Sequence, residues 1–323
     1  MSGSGLVGAV APVSRRVRAY FAPVDRTAGV PVVFDAAQMG AFGLESPPAP
    51  WVDLGWCGGF ARKSLTKVGV LRTGIPAIVQ RQVRTEVEAT VALEFESWGK
   101  LQMALAAGSQ QMNLLRTVNG ATANGSGGMA GAAVALMAGS TASSLNVGAA
   151  AGGFGVGDLV AVDVDYAGQV GFVGSGVSGA YVSSAAAVGG DVNYVRRISL
   201  NVGRVVSIAD GVLTLGVALL AGAPAAGMQV SQLVGFVDRE GGGFFHEWSG
   251  LFVMDGEQGD RVIYHYPRLQ AMQGSAEIVE ALAGPLERVK LAGAFRALPV
   301  KDTNDGETVL CFRSYLPGAM RTV

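Results

Sequence analysis

An antiparallel, mainly β fold with one short flanking helix is what the patterning of this chain specifies. The strongest signal runs from Val83 to Phe95. Val83, Thr85, Val87, Ala89, Val91, Leu93 and Phe95 alternate with Arg84, Glu86, Glu88, Thr90, Ala92 and Glu94. Period-two alternation over thirteen residues is a long, half-buried strand. The period then changes abruptly. Ser97 can cap a helix in which Trp98, Leu101 and Leu105 share one face, and Gly108 can end it. Strand signals resume after residue 235 and read as an antiparallel meander. A long strand feeding one short helix is an α+β or β-sandwich signature.

Taken in order, the elements begin with an apolar run, Leu6 to Val13, that lacks periodicity and cannot pack by itself. Short strands are expected at Arg16 to Phe21, Val30 to Phe34, Trp51 to Leu54 and Ser64 to Leu71. Between the second and third lies ESPPAP, which no strand tolerates. From Thr117 to Val195 the only charges are Asp158, Asp163, Asp165 and Asp191, and Thr117 to Gly157 is close to low complexity, as a long loop or linker would be. Asp158 to Tyr166 and Asn193 to Ile208 then read as strands, with an Asp210-Gly211 turn into Val212 to Leu215. The closing meander comprises Phe244 to Met254, Arg261 to Pro267, Arg288 to Leu298 and Val309 to Ser314, joined by the turns DGEQGD and KDTNDGE. The expected organisation is a discontinuous first domain, residues 1–116 with 235–323, carrying an inserted Gly/Ala-rich β domain at 117–234.

Composition narrows the function. The chain has 323 residues, 24 basic against 25 acidic, so it lacks the basic excess that grips nucleic acid through its phosphates. Charged residues are 15% and glycines number 48, a balance that fits a chain burying surface against copies of itself. Two cysteines, Cys57 and Cys311, build no disulfide framework and no CxxC site. Arginines follow the N-terminal apolar run rather than precede it, which is the wrong order for a secretory signal, so assembly in a cytoplasm is expected. No stretch reads as a membrane span.

The motif search points to no chemistry. GxGxxG occurs at Gly3-Gly5-Gly8 and at Gly174-Gly176-Gly179, but neither has the strand-to-helix context a phosphate site needs. His246-Glu247 begins like a zinc helix, yet no second histidine follows at the fourth position. His265, between two tyrosines, reads as a packed side chain. The carboxylates Asp238, Glu240, Glu247, Asp255, Glu257 and Asp260 crowd one window, as a glycan hydrolase's acids would, but their glycine neighbours mark hairpin turns. No catalytic residue, cofactor or metal ligand is expected.

The unit RTEVEATVALEFESWGKLQMALAAG, followed by SQQMNLL, resembles the major tail, or tail tube, proteins of long-tailed bacterial viruses. RVIYHYPRLQA and LERVKLAGAFRALPV are similar to that family's closing strands. The resemblance spans residues 60–116 and 236–315, about half the chain. It implies a β-sandwich or half-barrel with one flanking helix, closing into hexameric rings that stack into the virion's DNA conduit. It implies no catalytic residues. The expected partners are further copies of the chain, the tape measure and other tail proteins, and passing genomic DNA held without specific binding. The inserted domain departs from simple tube subunits and is expected to project outward. Glu86, Glu88 and Glu94 are the expected channel-lining residues, or else interface residues paired with Arg84, Arg62 or Lys67. The competing functions are another virion role (terminator, decoration or baseplate), a cell-wall hydrolase using the carboxylates of 238–260, and a secreted adhesin, which the order of the N-terminal residues disfavours.

Overall fold

The computed structural model describes residues 16–24, 29–116, 132–163, 170–172, 177–178, 200–240, 247–257, 259–281 and 287–318. The chain is mainly β with antiparallel sheets, and it divides into two compact units: residues 1–22, 31–108 and 244–323, and residues 23–30 with 109–243. The second unit therefore starts earlier and ends later than the patterning placed it. The first unit opens with β1 (Val17–Pro23), helix α1 (Ala36–Met39), β2 (Val52–Thr73), β3 (Ile78–Phe95) and helix α2 (Lys100–Ala107). The second unit holds β4 (Gln110–Leu115), β5 (Val134–Ala135), β6 (Ser144–Asn146), a 3₁₀ turn (Gly148–Gly153), β7 (Leu159–Asp163), β8 (Val170–Phe172), β9 (Val177–Ser178), β10 (Val202–Ala209), β11 (Val212–Leu215) and β12 (Gln229–Arg239). The chain then returns to the first unit with β13 (Glu247–Asp255), β14 (Arg261–Ala271), β15 (Ala276–Ala281), β16 (Glu287–Ala297), β17 (Val300–Lys301), β18 (Thr308–Val309) and β19 (Phe312–Leu316).

In the first unit the strand order is β15-β16-β3-β2-β1-β13-β14-β19, and β16 also pairs with β14 through Leu269↔Ala297 and Ala271↔Phe295. That extra seam joins six strands into a closed barrel, which goes further than the expected half-barrel. Closure leaves those strands no free edge where they pair, the usual remedy for exposed ladder groups. The interior is filled by alternate side chains, among them Ala89, Val91, Leu93 and Phe95 of β3, all buried. Phe21 meets Phe252 edge-on at 5.8 Å and Phe295 at 5.4 Å.

β1 is buried on both faces because its outer side is covered as well. Tyr20, Ala22, Leu251, Val253 and Ile263 form a second cluster with Phe34 and Trp51. Tyr20 donates from its hydroxyl to the Leu44 carbonyl at 2.8 Å. The covering segment accounts for a difference from the sequence expectation. Residues 30–34 form no strand beyond a single bridge at Val30; they lead into α1, which Asp35 caps by accepting from the amides of Ala37 and Gln38.

Two further expectations change. Val52 to Leu54 and Ser64 to Leu71 belong to one 22-residue strand, whose pairing with β3 shifts register between Gly58 and Ala61, between Lys67 and Val68 and between Leu71 and Arg72. Helix α2 starts after Gly99, not Ser97, so Trp98 lies outside it and is exposed. Leu101 and Leu105 are buried as expected, with Ala104 beside them. Gly108 ends the helix at φ +65°, where a side chain would be strained, and a Cβ there would sit 3.0 Å from Ala271.

The second unit's main sheet runs β4-β12-β7-β10-β11-β6, with β5 also on β12. Its core contains Leu136, Leu145, Val147, Val160, Val162, Val205, Leu213, Leu215 and Val230. Residues 132–157 are thus part of that core rather than a linker: within a Gly/Ala-rich run, Leu136, Leu145 and Val147 suffice to anchor it. β10 and β11 form the expected hairpin, Ala209 facing Val212 across Asp210 and Gly211, both at positive φ.

Candidate assembly surface

β2 and β3 pair from Cys57↔Phe95 outward to Thr73↔Ile78, but their neighbours stop early. β1 covers only Val52 to Cys57, and β16 only Thr90 to Phe95. Beyond them the hairpin continues for about ten residue pairs, roughly 30 Å at a strand rise of about 3.3 Å. Among the described residues no strand pairs with either flank of this arm. Neighbouring strand residues point to opposite faces. Val70 and Leu71 are both exposed, and so are Ile78 and Val79, so neither face of the arm is covered. Leu65, Val68, Val83 and Val87 are exposed too, and Ile75 at the tip is fully exposed between Gly74 and Pro76. The odd-numbered residues of β3 are therefore buried only from Ala89 onward. Below that point the alternation that signals a half-buried strand meets no covering element among the described residues.

Each carboxylate singled out from the sequence has a cation beside it. Glu86 pairs with Lys67 at 2.5 Å directly across the ladder, Glu88 with Arg296 at 3.0 Å, and Glu94 with Lys290 at 3.3 Å. Hydrogen bonding by Glu86 raises the Lys67 ammonium above its usual range. Lys290 is likewise raised, first by Glu280 and then by Glu94, while Arg288 and then Lys290 lower Glu280. These partners lie within one chain, and only Lys67 was among those expected. Arg62 instead donates to the Tyr266 hydroxyl at 3.0 Å and lies over the Tyr264 ring. Arg84 stands opposite Val68. The face bearing Glu86, Glu88 and Glu94 is consequently balanced in charge rather than acidic.

The carboxylates of 238–260 are divided between the two units, and within the first unit Glu247 and Asp255 are too far apart to act as a pair of acids. Asp238 belongs to the second unit and accepts from the Ser109 hydroxyl at 2.7 Å; Glu247, Asp255 and Asp260 belong to the first. Glu247 is held by Arg268 at 2.7 Å and Asp255 by Arg261 at 2.6 Å. They sit at opposite ends of β13, about 27 Å apart at about 3.4 Å per residue. Paired glycosidase acids are about 5–9.5 Å apart. Burial pushes the Cys57 thiol up to about 12 and also raises Cys311, the reverse of an activated nucleophile.

Among the described residues no group of three or more His, Cys, Asp or Glu side chains is placed to hold a metal, and no helix is long and apolar enough to cross a membrane. His246 and both GxGxxG matches fall, in whole or part, outside the described residues. The sequence reading missed the arm because it ended one strand at Leu71 and began the next at Val83. The available signal was the symmetrical placing of VGVLR and AIVQR about TGIP, a turn flanked by β-branched residues. Comparison with protein-family models gives no match, and neither does comparison with curated proteins.

Proposed function

We propose that this chain is a structural subunit that assembles with copies of itself into stacked rings, forming the tail tube of a long-tailed bacterial virus. One observation carries the assembly part of the reading: the β2–β3 arm. A two-stranded ribbon is marginal in water on its own. This one leaves nine large apolar side chains exposed between Leu65 and Val87, as well as both of its edges. A ribbon of that kind is stabilised by pairing and burial against another chain. The resemblance of residues 60–116 and 236–315 to tail tube subunits supplies the particular assembly. The balanced charge around Glu86, Glu88 and Glu94 also suits a wall past which DNA slides, because unpaired lysines or arginines would add phosphate attachment.

Negative-stain microscopy of the concentrated full chain tests the reading. Hollow tubes or rings of uniform bore are expected. Replacing residues 65–88 by a tight Asn-Gly turn, which keeps the Ser64↔Ala89 pair in register, should leave a folded subunit and remove the tubes. Solid aggregates, closed dimers or a permanent monomer would sink the tube reading, and single caps or plugs would favour a terminator or baseplate role.

A further inference from the structure

The first unit contains a cavity of about 340 Å³ at the outer end of β14 and β19. Phe34, Pro267, Val300 and Phe312 give it apolar walls, and Asp35 and Asp302 stand at it with polar atoms. Val33, also on its lining, is a large apolar side chain left exposed. The charged residues on the lining are two acids, Asp35 and Asp302, against one base, Lys301. Asp302 spends one carboxylate oxygen on the Asn304 amide and side chain, which keeps its turn in place.

The tip of the arm has the complementary character. Ile75 is the most exposed large apolar residue among the described residues. The ten residues from Arg72 to Arg81 carry two cations and no acid. A branched aliphatic side chain is smaller than the cavity, so it can enter with part of its turn. Burying one such side chain is worth about 1.5–3 kcal/mol, or roughly ten- to a hundredfold in affinity.

We propose that the cavity walled by Phe34, Pro267, Val300 and Phe312 receives the Ile75 tip of the β2–β3 arm from a second copy of the chain. Arg72 and Arg81 then lie against the acidic rim. The contact joins two different patches, tip and cavity, so it is heterologous and propagates from copy to copy instead of ending at a dimer. This inference rests on the self-assembly reading above and names the surface that receives the arm.

The test is disulfide trapping between two full-length variants, Ile75→Cys and Ala37→Cys, mixed and mildly oxidised. Ala37 lines the cavity and is exposed, so the change leaves the fold alone. The unaltered chain, with Cys57 and Cys311, is the blank, and Ala209→Cys on the second unit replaces Ala37→Cys as the control acceptor. A mixed disulfide well above both controls is expected. Sedimentation should show self-association weakened at least tenfold in Ile75→Asp, whose site touches nothing within the subunit. Cross-linking no greater than the controls, or an unchanged association constant in Ile75→Asp, overturns the proposal; so does a chain that stays monomeric and does not cross-link. Tubes that form without the disulfide would remove this contact and leave the tube reading standing. The disulfide without rings or tubes would do the opposite.

Discussion

His265 on β14 is 2% exposed, stacked on Phe312 at 5.7 Å and edge-on to Trp51 at 5.8 Å. Its Nε2 donates to the Val32 carbonyl at 3.1 Å, leaving Nδ1 as an acceptor with no partner among the described residues. Burial outweighs that one bond and lowers the imidazole from 6.5 to about 4. The folded protein therefore holds it neutral where the unfolded chain would protonate it. Its contribution is complete above pH 6.5 and is lost as pH falls from there toward 4, a swing of about 3 kcal/mol at about 1.4 kcal/mol per unit. Urea unfolding at pH 8 and pH 5 should show the loss, and His265→Phe should lose less between the same two values; equal slopes would remove the histidine from the account. That His265 is packed was legible from its two tyrosine neighbours. That it lies against Phe34 and Trp51 was not, because those contacts depend on the path of residues 31–51, a segment with no periodicity.

At the scale of elements, α2 and the arm show opposite degrees of legibility. Leu101, Leu105 and Gly108 were readable because helix spacing and a left-handed terminator are local properties. The start was misplaced by the attraction of Ser97 as a cap, where the backbone uses Gly99 with no side-chain bond. The helix packs on β14, β15 and β16, so it closes the first unit's core at a place where Leu101 is 2% exposed. Leu101→Ala should cost about 2–5 kcal/mol, read by denaturant unfolding of the isolated subunit. A change below 1 kcal/mol would mean that the helix is peripheral. In the arm, alternation from Val83 was read correctly as strand and incorrectly as a buried face. Period two reports which residues share a face, and burial depends on what that face meets.

At the scale of the whole molecule, the two units have separate cores, and the chain crosses between them at Ala22-Pro23, Val30-Pro31, Gly108-Ser109 and Gly243-Phe244. Joining residue 108 to residue 244 through a short Gly/Ser linker should leave a first unit that still unfolds cooperatively. Failure of that deletion to fold would show that the second unit supports the barrel. The existence of an insertion was visible in the compositional shift after Arg116. Its true extent was hidden because β4 and β12 have ordinary strand composition and reveal their membership only by pairing Arg239↔Gln110 through Leu233↔Leu115.

The seam between β1 and β13 has a consequence for the order in which the molecule comes into being. β1 ends at Pro23 and its neighbour β13 begins at Glu247, so more than two hundred residues are synthesised before the barrel can close. At about 5–20 residues per second, that is a wait of roughly ten to forty seconds. The second unit needs only residues already made and can fold on the ribosome meanwhile, whereas the arm emerges early on strands with no barrel beneath them. A nascent chain halted once Gly243 has cleared the ribosome should yield a protease-resistant fragment starting near Ser109, while residues 31–108 of the unfinished first unit are digested. Closure of the barrel thus waits for the strands that follow Glu247, and until then the apolar side chains of β1 and β3 lack the partners that bury them.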